Sequence, residues 1–204
     1  MENNAKNHRD RVQQSWEKFL DPGTLRSNLI ACSLFIVAWE TFCRTSIDNL
    51  HGFYNFGVDP ELGESENYRS RVLDRHKSRL MASLLWFQEM GAIDQDDLNL
   101  VKRIKDHRNE IAHELPKYLC QAGHEIDVEL FGKLTDLISK IGRWWVMEIE
   151  VPTNSDFDGV EIDPEEVQSG DMWFLGMLLQ VATGDEEEAS KLYQQFTEAA
   201  SKLP

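Results

Sequence analysis

Between Lys105 and Leu115 the chain reads KDHRNEIAHEL, which sets Arg108 five residues ahead of His113. An imidazole titrates near pH 6.5 (about), so histidine can take or give a proton at neutral pH. A guanidinium stays charged and offers a fork of donors that fits a phosphate or the phosphorane formed from it. The pair therefore suits proton transfer beside a braced phosphate, without a metal. On a helix five residues correspond to about 500° of rotation, which leaves about 140° between the two side chains. Convergence must then come from the long arginine stem or from a kink forced by Pro116. Asn109 shares the His113 face at i,i+4 and can orient its ring or a phosphate. The plain alternative is a surface arginine, with a histidine bonded to a carboxylate such as Glu40. His107 is expected on the surface.

A rival chemistry is weaker. Glu110-x-x-His113 has the spacing found in di-metal carboxylate bundles, and Asp48-x-x-His51 resembles it. Such sites need two Glu-x-x-His pairs and further inward carboxylates, and this chain has one such pair, so no metal and no cofactor are expected. A Gly-rich phosphate loop, an H-E-x-x-H and a Gly-x-Ser-x-Gly elbow are all missing.

The elements that would position these residues read as helices throughout. One spans about 4–20 and stops at Asp21-Pro22-Gly23; a long apolar one follows over about 24–54, rich enough in Leu29, Leu34, Val37 and Phe42 to be a central helix. Residues 55–66 form a loop, and a third helix is expected over 67–90, ended by Gly91. Asp94 caps a fourth helix from Gln95 towards Leu115, which must kink or end near Pro116. A fifth covers 127–148. An acidic linker, 150–163, leads to two last helices at about 164–182 and 186–201. The expected fold is all-α: an antiparallel bundle of four to five core helices in 1–149, with 150–204 a linker and a C-terminal helical hairpin packed on the same domain.

Composition narrows the classes. The chain has 204 residues, 41% of them hydrophobic, and a formal net charge of −15. Its longest apolar run, Leu29 to Trp39, is well short of the roughly 20 residues that span a bilayer, and MENNAKNHRDR lacks the layout of a secretory signal. Three cysteines without metal-type spacing fit a reduced, cytoplasmic protein with no membrane partner. A charge of −15 is unfavourable for phosphate contacts, yet residues 69–108 carry nine basic against six acidic side chains and net +3. Arg75, Arg79, Arg103 and Lys105 in that stretch are the candidate RNA contacts. Trp144-Trp145 and Trp173-Phe174 are expected in the core or in a dimer interface.

Arg108-Asn-Glu-Ile-Ala-His113 resembles the R-(polar)-x-x-x-H signature of the HEPN superfamily, and Ala38-Trp-Glu-Thr-Phe42 is similar to that family's acid-bearing earlier helix. The resemblance covers about 25–148. It implies a HEPN-like bundle acting as a metal-independent endoribonuclease, a homodimer whose two Arg/His pairs line one cleft. It implies Arg108 and His113 as catalytic residues, with Asn109 and Glu40 orienting them. The substrate would be RNA, tRNA or mRNA, with no DNA sequence recognition, and the setting that of a toxin or antiphage effector held by a cognate antitoxin or regulator. Other members bind nucleotides, RNA or proteins without cutting. Where some relatives place a tyrosine two residues after the histidine as a modification target, this chain has Leu115.

Overall fold

The computed structural model describes residues 2–59, 61, 63–185, 187, 190, 191, 193–195 and 197, with side chains from residue 8 onward. Among them the chain is all-helical and contains no strand. The helices are α1 (Glu2–Leu20), α2 (Pro22–Tyr54), α3 (Glu66–Arg71), α4 (Arg79–Glu89), α5 (Gln95–Cys120), α6 (Val128–Trp145), the short α7 (Val151–Thr153) and α8 (Gly170–Thr183). The expected last helix, 186–201, lies largely outside the described residues.

Asp21-Pro22-Gly23 separates α1 from α2 by a single residue, because the same tripeptide that ends one helix starts the next. Asp21 Oδ2 accepts the Thr24 N–H at 2.7 Å, and Pro22 takes the first helical position, where no backbone donor is needed. By length and composition α2 is, among the described residues, the one helix long and apolar enough to cross a membrane, with a hydropathy of 1.3 over its most apolar window. Half of that window is buried inside the protein.

The chain forms two compact units: 1–34 with 114–126 and 173–204, and 35–113 with 127–172. In the second unit, α2 from Phe35 on packs with α3, α4, α5 up to His113, and α6. Phe35, Phe42, Leu50, Phe87, Ile104, Ile111, Leu134 and Ile138 are fully buried there. Phe35 meets Phe131 and Phe53 meets Trp145, so α2 and α6 run in the same direction. The His107 ring meets Phe35 at one end of α5, while Asp97 at its other end pairs with Lys140 at 2.6 Å. Hence α5 runs antiparallel to both neighbours. Tyr54, Trp86, Phe87 and Trp144 close one end as an edge-to-face aromatic cluster, with Trp86 Nε1 donating to Tyr54 Oη at 3.0 Å. Trp145 is in this core, whereas Trp173 and Phe174 face solvent in the single chain.

One expected element is corrected. The continuous helix over 67–90 is broken into α3, a 3₁₀ turn (Leu73–Arg75) and α4, with His76 extended at φ −162° and ψ 148°. Tyr68 on α3 and Val72, which follows it, are fully buried. Continuing that face by helical spacing would carry Arg75, His76 and Arg79 into the core, so the chain leaves the helix and restarts in a register that buries Ala82, Leu84 and Phe87 instead. Gly91, at φ 80°, then closes α4 in the left-handed conformation.

Candidate active site

α5 begins with a reciprocal cap. Asp94 Oδ1 accepts the Asp96 and Asp97 N–H groups, and Asp97 Oδ2 accepts the Asp94 N–H, all at 2.9 Å. Val101, Ile104 and Ile111 turn inward at helical spacing, which leaves Lys102, Arg103, Lys105, Asp106, Glu110, Ala112 and His113 exposed along the outer face. Arg108 lies at the rim of these two faces, its side chain 29% exposed.

Arg108 is held there by α2. Its Nη2 donates to Glu40 Oε1 at 2.5 Å, and its Nη1 reaches Asn109 Oδ1 at 3.4 Å. The Nε–H is buried and has no hydrogen-bond partner among the described residues. The Glu40 carboxylate is itself largely in solvent, so the pair contributes only about 0.2–1 kcal/mol and yields easily to a stronger anion. Arg108, Asn109 and Glu40 are thus brought together. His113 is exposed on the same helix, and its side chain makes no hydrogen bond or ion pair among the described residues.

The kink lies elsewhere than convergence requires. Pro116 crowds the Ala112 carbonyl and disfavours helical geometry in the residue before it. The chain relieves this at Glu114, where φ is −119° and ψ 24°. That departure follows His113, so residues 108–113 remain regular helix and the kink does not turn His113 towards Arg108.

Two residues that sequence reasoning did not place at the site adjoin it. Cys43 sits one turn after Glu40 on α2; burial, reinforced by the Glu40 charge against the weaker pull of Arg108 and Lys105, pushes its thiol up to about 12. It stays a protonated thiol at neutral pH and is not a nucleophile. Its i,i+3 spacing from Glu40 was the available signal. His107 is not a surface residue: its side chain is 14% exposed, its ring packs edge-on against Phe35 at 4.9 Å, and its Nε2 accepts the Asp127 N–H at 3.2 Å. Burial holds its pKa below the ordinary value, against the opposing pull of the Asp127 and Glu110 carboxylates. The reason is the start of α6, whose cap residue needs an acceptor on α5.

The basic stretch divides. Arg75 pairs with Glu89 and Arg79 with Glu64, while Arg103 and Lys105 are exposed on the same helix as Arg108 without an ion pair among the described residues. Among the described residues no three His, Cys, Asp or Glu side chains converge in a way that could hold a metal ion. Comparison with family models, curated proteins and solved structures returns no match to this chain.

Proposed function

We propose that the chain is a metal-independent endoribonuclease of HEPN type, with a HEPN-like helical bundle that acts as a homodimer. The observation that carries this reading is Arg108, tethered to Glu40 by an exposed ion pair on the same α5 that presents His113 to solvent. In the reaction, His113 of one copy removes the proton from an RNA 2′-hydroxyl. The 2′-oxygen bonds to the adjacent phosphorus, the bond from phosphorus to the 5′-oxygen breaks, and protonated His113 of the second copy supplies the leaving oxygen with its proton. The products are a 2′,3′-cyclic phosphate and a 5′-hydroxyl. Arg108 exchanges Glu40 for the phosphate and stabilises the charge that builds on its oxygens. Glu40 and Asn109 are positioning residues, and Arg103 and Lys105 draw the RNA towards α5. A cytoplasmic toxin or antiphage effector, acting on tRNA or mRNA under a protein regulator, is the setting this chemistry fits.

The test incubates wild type, Arg108→Ala and His113→Ala with total cellular RNA in excess EDTA. Wild type is expected to cut and leave cyclic phosphate ends, and each variant to lose about a hundredfold or more in rate. Three folded dimers that all fail to cut would sink the proposal. The reading that then takes over is a HEPN-like module that binds nucleotide, RNA or protein without turnover. The pairing of Arg75 and Arg79 with acids, which lowers the pull on phosphate, favours it.

A further inference from the structure

The first compact unit contains a groove of about 740 Å³ between α1 and the segment from Pro116 to His124. Val12, Trp16 and Phe19 recur on one stripe of α1 and line it together with Pro116. These are large apolar side chains left open to solvent, Trp16 at 58%. A solvated apolar surface of this kind is unfavourable unless something covers it. The charged lining has one sign, Arg11 and Lys117 with His8 and His124, in a chain that holds 36 Asp and Glu; Glu114, outside the lining, pairs with Lys117 Nζ at 3.0 Å and leaves Arg11 the cation without an ion pair among the described residues.

The walls are fastened to one another. Lys18 Nζ donates to the Gln121 and His124 carbonyls at 3.2 and 2.6 Å, and the Ala122 N–H donates to Ser15 Oγ at 3.1 Å. The groove therefore exists before anything enters it, which lowers the ordering cost of binding. His124 Nδ1 is buried at this wall without a hydrogen-bond partner among the described residues, an unmet polar group of the kind a ligand atom satisfies.

We propose that this groove binds a small amphipathic organic anion: an aromatic or acyl body lying against Trp16 and Phe19, with one carboxylate or phosphate at Arg11, which Lys117 joins by exchanging Glu114 for the ligand. The volume lies in the range of about 300–1,000 Å³ that holds ligands of this size, and a mostly apolar lining with a few convergent polar groups is their usual setting. The site shares no residue with the Arg108 and His113 pair and does not depend on the ribonuclease reading.

The full chain is titrated with 8-anilinonaphthalene-1-sulfonate and with uncharged N-phenyl-1-naphthylamine, which has nearly the same rings. The sulfonate is expected to bind at one site per chain, about tenfold more tightly than the neutral dye, because the charge-assisted contact is absent from the latter. Arg11→Glu/Lys117→Glu should erase that difference by weakening the sulfonate alone, and Trp16→Ala should weaken both dyes. All three residues are exposed, so the variants keep their helical circular dichroism. Equal affinity for the two dyes, or indifference to charge reversal, overturns the proposal. So does sulfonate binding that survives Trp16→Ala, or binding that vanishes on self-association, since a second copy would then be the occupant.

Discussion

At His107 the ring nitrogen that accepts the Asp127 N–H cannot take a proton without setting two donors face to face. The start of α6 adds a partial positive charge at the same point, and the side chain is 14% exposed, so burial and geometry both resist the imidazolium. Its pKa in the folded chain is depressed, and the sign of the consequence follows. The unfolded chain binds the proton as pH falls through about 6.5, while the folded chain does not until a lower pH. Stability is therefore fully present above that range and declines on acidification, by at most about 1.4 kcal/mol per pH unit from this group. His107→Gln keeps an acceptor for the Asp127 N–H and removes the titration. Urea unfolding at pH 7, 6 and 5 should give a shallower acid-side decline in the variant than in wild type. Parallel curves would show that His107 titrates alike in both states. Cys43 makes the complementary point: burial pushes its thiol up to about 12, so it adds no thiolate nucleophile near Arg108.

α6 offers a test of element packing through two glycines ten residues apart. A Cβ built on Gly132 meets nothing within 4 Å, whereas one on Gly142 would lie 2.7 Å from Ser169 Cβ. Gly132→Ala should stabilise by about 0.5–1 kcal/mol, since alanine loses less backbone entropy in a helix. Gly142→Ala should destabilise by about 1–3 kcal/mol as the 169 segment is pushed away. Chemical unfolding of both variants reads the two signs, and a loss at Gly132 or a gain at Gly142 would contradict the packing of α6. Nothing local in the sequence separates the two, because Ser169 is distant in the chain; contacts of that kind were not legible. What was legible is what local chemistry decides. Asp94 capping α5, Gly91 closing α4 and Pro116 disturbing α5 could each be read from neighbours. The break at 72–78 could not, because it arises from which face of α3 the core accepts. At the site, Arg108 and Glu40 are 68 residues apart and were joined only through the HEPN resemblance. Cys43 and His107 escaped because their character is set by burial.

For the whole molecule, charge sets two trends against each other. Each chain carries −15, so bringing two copies together is opposed by their mutual field. That opposition reaches about 30 Å at 0.01 M salt and only about 8 Å at 0.15 M. On the proposed ribonuclease reading, RNA would be drawn to the exposed cations along α5, an attraction that salt weakens. A composite cleft needs both events. With protein well below its dimer dissociation constant, the cleavage rate should scale with the square of protein concentration. It should also rise and then fall as salt is raised from 10 to 500 mM (about), first because the dimer forms and then because RNA is released. With protein well above that constant, dimers are present throughout and only the fall should remain. Sedimentation velocity at each salt, run beside the assay, separates the two causes. A rate linear in protein and falling at every concentration would mean that one chain supplies the whole site. Arg108 would then have to reach across about 140° of α5 to His113 by its own stem, because the kink at Glu114 comes too late to help.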